Sequence, residues 1–92
     1  MPVVWIPALM RDLTGGAEQV HVPGTTVGEA IAELEMCFPG TMARLCEAGR
    51  LRANFVVVVN GTVSRMRLRQ KLDEDSEVHF VPQISGGQES IR

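Results

Sequence analysis

Tyrosine is absent from this 92-residue chain, which holds one tryptophan and three phenylalanines. A surface that stacks bases needs more aromatic side chains than that. The net charge of −2 supplies no field to gather nucleic acid or an anionic membrane, so neither is expected as a partner. Cysteine is scarce as well. Cys37 and Cys46, with the distant His21 and His79, match no zinc spacing, and no metal site is expected. The two cysteines read as buried thiols, with a disulfide as the alternative. No stretch approaches the ~18 apolar residues that cross a bilayer. Residues 1–22 also lack the basic start and apolar run of a leader, so the expected location is the cytoplasm.

What is present is the makeup of one small soluble domain, with 45 % hydrophobic and 22 % charged residues. Pro2–Met10 is apolar and rich in strand-forming types. Thr14-Gly15-Gly16 supplies a turn, and Glu18–Val22 alternates polar and apolar residues, which predicts a hairpin. Thr26, with Glu29 three residues on, has capping-box spacing and starts a helix. Val27, Ala30, Ile31, Leu34 and Phe38 give that helix one apolar face before Pro39-Gly40 stops it. A second short helical piece, with Met42, Leu45 and Cys46 on one side, is expected to end near Gly49. The run Phe55–Val59 suits a central strand, and Asn60-Gly61 is the strongest turn signal in the chain. Arg65, Arg67, Arg69 and Lys71 alternate with Met66, Leu68 and Leu72, an extended pattern with one wet face. Asp73–Glu77 is an acidic turn, Val78–Val81 is a last strand, and from Pro82 onward hydrophobic periodicity is lost.

Hairpin, helix, strand, short strand, strand is an α+β order in which the helix must cross and cover one sheet face. A mixed sheet of four or five strands on one main helix is expected, with Val4, Ile6, Val20, Val22, Val78 and Phe80 turned toward Ile31 and Leu34. Pro7 lacks the donor of a central strand, so a ladder gap or bulge is expected there. Alternation then places Trp5, Pro7, His79 and Val81 on the outer face, with at least two valines of 56–59. An uncovered apolar face holding the sole tryptophan is a partner-docking surface. The alternative is burial of Trp5 beneath the short second helix or the 62–72 segment. His79 reads as a polar rim residue, since no acid or nucleophile stands near it in sequence. The arginine ridge reads as a solvated face, because Asp73, Glu74, Asp75 and Glu77 follow it at once.

This order is that of the β-grasp, ubiquitin-like fold, and the residues carry a closer likeness. Ile6-Pro7-Ala8-Leu9-Met10-Arg11-Asp12-Leu13-Thr14-Gly15-Gly16 resembles the first strand and loop of the ThiS/MoaD sulfur-carrier family. Gly49-Arg50-Leu51-Arg52 with Val56-Val57-Val58-Val59-Asn60-Gly61 is similar to that family's third strand and turn. Val78-His79-Phe80-Val81-Pro82-Gln83-Ile84-Ser85-Gly86-Gly87 is similar to its last strand and diglycine tail. The first of these looks especially like the branch that carries sulfur for cysteine synthesis, beside that of the molybdopterin synthase small subunit, and the likeness spans residues 3–87. The resemblance implies a domain over residues 1–85 and a tail over 86–92, with no bound cofactor and no catalytic residue. Gly87 would offer a carboxylate that an E1-like adenylyltransferase activates with ATP. A sulfur donor would then displace AMP and leave a thiocarboxylate, which a sulfur-acceptor enzyme receives. Ile84, Ser85 and Gly86 would form the extended tail that threads to the nucleotide. Glycines suit that path because they let the backbone approach closely. The family's outer sheet face meets both the activating enzyme and the acceptor.

Carriers of this family end at the second glycine, whereas here Gln88-Glu89-Ser90-Ile91-Arg92 follows. Gly87 is thereby held in a peptide bond. The family resemblance extends to masked precursors that a protease opens, often a JAMM-type metalloprotease, and the cut is expected between Gly87 and Gln88. The receiving pathway stays open among cysteine, molybdopterin, thiamin and tRNA thiolation. Two other classes stay open beside sulfur delivery: a ubiquitin-like modifier that forms isopeptide bonds, and an interaction module that no longer conjugates.

Overall fold

The computed structural model describes residues 1–83. The first apolar segment is a strand only over Val3–Trp5 (β1), not over the whole of residues 2–10. Pro7 is the physical reason, because it has no amide hydrogen to give to a ladder. The Ile6 N–H makes the last bond across, to the Glu18 carbonyl at 2.9 Å. The chain then coils into a 3-10 turn over Ala8–Met10, with the Met10 N–H on the Pro7 carbonyl at 2.8 Å. The gap expected at Pro7 is thus the end of the strand. Gln19–His21 (β2) returns antiparallel, with Val20 opposite Val4.

Gly24 admits the chain to the main helix. Its φ is +153°, and a Cβ there would stand 2.9 Å from the Ala30 nitrogen, so only glycine fits so close to the helix. Helix α1 runs over Val27–Cys37, and Thr26 accepts from the Glu29 N–H at 3.2 Å. Glu29 does not complete the expected reciprocal box. Its carboxylate reaches one residue further, accepting the Thr25 N–H and hydroxyl at 2.8 Å each. Val27, Ala30, Ile31 and Leu34 are buried, and Phe38 packs partly against them.

Helix α2, Thr41–Leu45, ends four residues before Gly49. In place of further helix, Cys46–Glu47 (β3) and Arg50–Leu51 (β4) form a small hairpin. Leu45 is buried and Cys46 half-buried, while Met42 is exposed. Phe55–Val59 (β5) and Thr62–Ser64 (β6) pair antiparallel. Asn60 and Gly61 between them have φ of 52° and 83°, the left-handed pair of a type I′ turn.

The expected long strand through Lys71 is not there. After Ser64 the chain makes a 3-10 turn over Arg67–Arg69. Arg67 takes a positive φ of 54° and donates its guanidinium to the carbonyls of Leu51 at 3.3 Å and Arg52 at 2.8 Å. Beyond it, the Val27 N–H reaches the Gln70 carbonyl and the Leu72 N–H reaches Thr25, both at 2.9 Å. Tertiary bonds to the start of α1 override the alternation, and the arginine ridge does not exist as one strand face.

Glu77–Pro82 (β7) lies at the centre, parallel to β1 and antiparallel to β5, giving the sheet order β2-β1-β7-β5-β6. This is the β-grasp arrangement, a mixed five-stranded sheet with α1 packed on one face. Val4, Ile6, Val22, Val57, Val78 and Phe80 close the core from the sheet side, and Val20 packs partly against it. Each such side chain contributes about 1.5–3 kcal/mol by leaving water.

Candidate functional site

The register of the central strands fixes what the outer face presents. Trp5 stands opposite His79, His79 opposite Val58, and Val58 opposite Val63. Val81 stands opposite Val56 in the next outward row. Cross-strand neighbours in such rows lie close enough for their side chains to meet. One face therefore carries Trp5, His79, Val56, Val58, Val63 and Val81. Val63 and Val81 are exposed to 61 % and 44 %, so no element of the described fold lies over them.

The centre of this face is fixed in place. The rings of Trp5 and His79 stack with centroids 5.2 Å apart and planes 9° from parallel. The Trp5 indole N–H donates to Glu77 Oε1 at 3.1 Å, so the acid two residues before His79 sets the indole's orientation. Fixed aromatic rings lose little freedom when a partner covers them. Trp5 itself is half-buried, and the two elements expected as its cover are engaged elsewhere. The second helix packs on α1, and the 62–72 segment is hydrogen-bonded to the N-terminal end of α1. Pro7 lies half-buried just past the end of β1, at the entry to the 3-10 turn.

β7 carries the chain past this face. Phe55 pairs with Pro82, and the Gln83 N–H donates to the Asn54 carbonyl at 2.6 Å. Ile84, Ser85, Gly86, Gly87 and Gln88, the residues expected to carry and unmask the chemistry, lie outside the described residues.

Among the described residues no group of acids, histidines and cysteines could hold a metal ion. Cys37 is exposed, contrary to the buried thiol expected, because Phe38 and not Cys37 packs back on the core at the end of α1. Cys46 is half-buried, and burial pushes its thiol up against the opposing pull of Arg52, which leaves it a poor nucleophile. Glu29 is held below the usual carboxylate range by the backbone and hydroxyl donors of Thr25, which marks a helix cap. Sequence reasoning missed Glu77. Contrary to the expectation that no acid stands near His79, this one lies two residues before it on the same strand, and only the parallel register with β1 shows what it grips.

Comparison with known proteins adds to this geometry. A family model described as the ThiS family matches residues 4–87. The sulfur carrier protein CysO of Mycobacterium tuberculosis is 30 % identical over 89 residues, covering 91 % of this chain and 96 % of that one. A chain in the crystal structure of the Amycolatopsis orientalis BexX/CysO complex superposes with a TM-score of 0.87 at 30 % identity, covering 95 % of this chain and 100 % of that one. SAMP1 of Haloferax volcanii superposes with a TM-score of 0.72 at 26 % identity, covering 94 % and 98 % respectively.

Proposed function

The chain belongs to the ThiS family, and from that membership we propose that it is a sulfur carrier whose working atom is the carbonyl carbon of Gly87. The observation that carries the reading is where the family match stops. It runs to residue 87, the second glycine, and leaves Gln88–Arg92 outside.

The chemistry follows from that end point. Water first cleaves the Gly87–Gln88 peptide bond in a protease, leaving a carboxylate. A carboxylate is a poor acyl donor until one oxygen becomes part of a leaving group. An E1-like enzyme supplies this: the carboxylate attacks the α-phosphorus of ATP, pyrophosphate leaves, and an acyl-adenylate forms. Hydrosulfide, or a persulfide later reduced by a thiol, attacks the carbonyl and expels AMP. The thiocarboxylate so formed passes its sulfur to an acceptor enzyme. The protein carries sulfur and contributes no catalytic residue of its own.

The domain's part is to present the tail. Gln83, tied to Asn54, is the last described residue, and Gly87 follows four positions on. Four extended residues span at most about 14 Å, so an enzyme seated near the Trp5–His79 face can receive the tail in the same encounter. Binding energy from that face then positions a remote reacting carbon. The BexX/CysO complex supports this reading, since a chain similar to this one is held there with another protein.

The test compares the full chain with one ending at Gly87, each incubated with an E1-like enzyme, ATP and sulfide. Intact-mass measurement should show one oxygen replaced by sulfur only in the chain ending at Gly87. Sulfur gained by the full chain with residues 88–92 still attached, or an inert shortened chain, defeats the proposal. An isopeptide linking Gly87 to another protein's lysine would instead support a protein modifier.

A further inference from the structure

Two depressions on the helical layer, away from the Trp5 face, join into one trough. The first, of about 470 Å³, lies between α1, α2 and the β3–β4 hairpin, with Ile31, Met42, Cys46 and Leu68 as apolar walls. The second, of about 350 Å³, is rimmed by Arg50, Arg67 and Arg69 around Met66. Gly49 and Leu68 line both, so the apolar part runs into the basic part.

The charges of the trough are not cancelled from within. The ion pairs among the described residues are Arg44–Asp12 and Arg52–Glu47, each at 3.4 Å, and neither uses Arg50 or Arg69. Glu47 stands opposite Arg50 in the hairpin, but its carboxylate turns to Arg52. Glu35, the carboxylate in the apolar part, accepts the N–H groups of Gly40 and Met42 at 3.1 and 2.9 Å and belongs to the start of α2. Arg67 is fixed by its two carbonyl partners and supplies a positive charge of defined position. Net charge is −2, yet three guanidiniums meet at this end. Guanidiniums bind carboxylates in paired hydrogen bonds, and exposed methionines adapt to varied apolar shapes. Met42 and Met66 are 36 % and 50 % exposed.

We infer that this trough is a second docking surface, fitted to a partner segment that bears a large apolar side chain beside carboxylates. It lies on the helical layer and leaves the outer sheet face open. The inference stands on charge complementarity and does not depend on the carrier reading.

The test selects random displayed peptides on the immobilised full chain and resynthesises the consensus as a fluorescent peptide. The expected consensus is Leu, Met or Phe flanked by Asp or Glu. Its affinity should fall about tenfold or more with Arg50→Glu plus Arg69→Glu, and similarly with Met42→Asp, yet stay within about twofold for Trp5→Ala. Melting curves check that each variant folds, and Arg50→Gln with Arg69→Gln replaces the reversal if its melting point drops. A consensus without acids, or binding indifferent to these changes, overturns the inference. So does tenfold tighter binding after removal of residues 88–92, which makes the chain's own tail the occupant. A dimer that the charge reversal dissolves makes the occupant a second copy and overturns it equally.

Discussion

The two faces of the central sheet are built from the same strands and differ in what covers them. Val57 and Val58 are chain neighbours in β5. Val57 is fully buried opposite Phe80, while Val58 is half-buried opposite His79. On the inner face α1 excludes water, and each apolar side chain adds to stability. On the outer face similar side chains have no described cover, so their transfer from water is left for the proposed encounter with a partner. Apolar character therefore says little about role until the register assigns the face.

The sharpest way to break this comparison is to place one charge at each of the two neighbours. Val57→Asp buries a carboxylate with no partner and should cost about 4 kcal/mol or more, enough to unfold much of the population of so small a domain. Val58→Asp should change stability by about 1 kcal/mol or less while weakening the complex with the proposed activating enzyme. Urea melts of both variants settle it, and equal losses would show that the outer face is not free. A cavity tests the inner face more gently. Leu34→Ala removes a fully buried side chain from α1 and should cost about 3 kcal/mol, read as a lower urea midpoint at unchanged slope.

These positions were largely legible in the sequence, because periods of two and of three to four are direct imprints of strand and helix geometry. Thr26, Asn60 and Gly61 marked real boundaries, and Ile31, Leu34, Val78 and Phe80 are the core expected. Illegible features depend on distant contacts. Arg65 to Leu72 alternates like a strand, yet the Arg67 guanidinium on the 51–52 carbonyls and the Gln70 bond to α1 hold it as a turn. The β3–β4 hairpin is two residues a side, too short for any period to show. Of the candidate site, Trp5, His79 and Val81 were placed on one face by alternation alone. That Trp5 stacks on His79 required the parallel pairing of β1 with β7, which joins position 5 to position 79 and leaves no local signal.

Trp5 sharpens the comparison from the outer side. Trp5→Ala should leave folding within about 1 kcal/mol and raise the dissociation constant for the proposed activating enzyme about tenfold or more, as central aromatic anchors do. Calorimetric titration against that enzyme, beside a melt of the free protein, separates the effects. A loss of about 3 kcal/mol in the melt with unchanged binding would move Trp5 to the core.

The smallest expected effect distinguishes a face that is merely uncovered from one that is also preorganised. Glu77 is exposed, and its link to the core side of the sheet runs through backbone bonds that any residue at 77 would keep. Its carboxylate instead holds the Trp5 indole N–H at 3.1 Å while the ring lies on His79. An exposed hydrogen bond of this kind contributes little to folding, so Glu77→Ala should shift stability by no more than about 0.5 kcal/mol. Releasing the indole costs a partner the ordering of one large side chain, on the order of 0.5–1.5 kcal/mol. That corresponds to an affinity loss of about two- to tenfold, smaller than for Trp5→Ala. Glu77→Gln keeps an oxygen acceptor and should recover most of the loss, which a plain charge effect would not. The indole N–H resonance of Trp5 reports the same event without a partner: it should move in Glu77→Ala and stay near its place in Glu77→Gln. Should the alanine variant bind as tightly as the original chain, the ring would be positioned by the His79 stack alone.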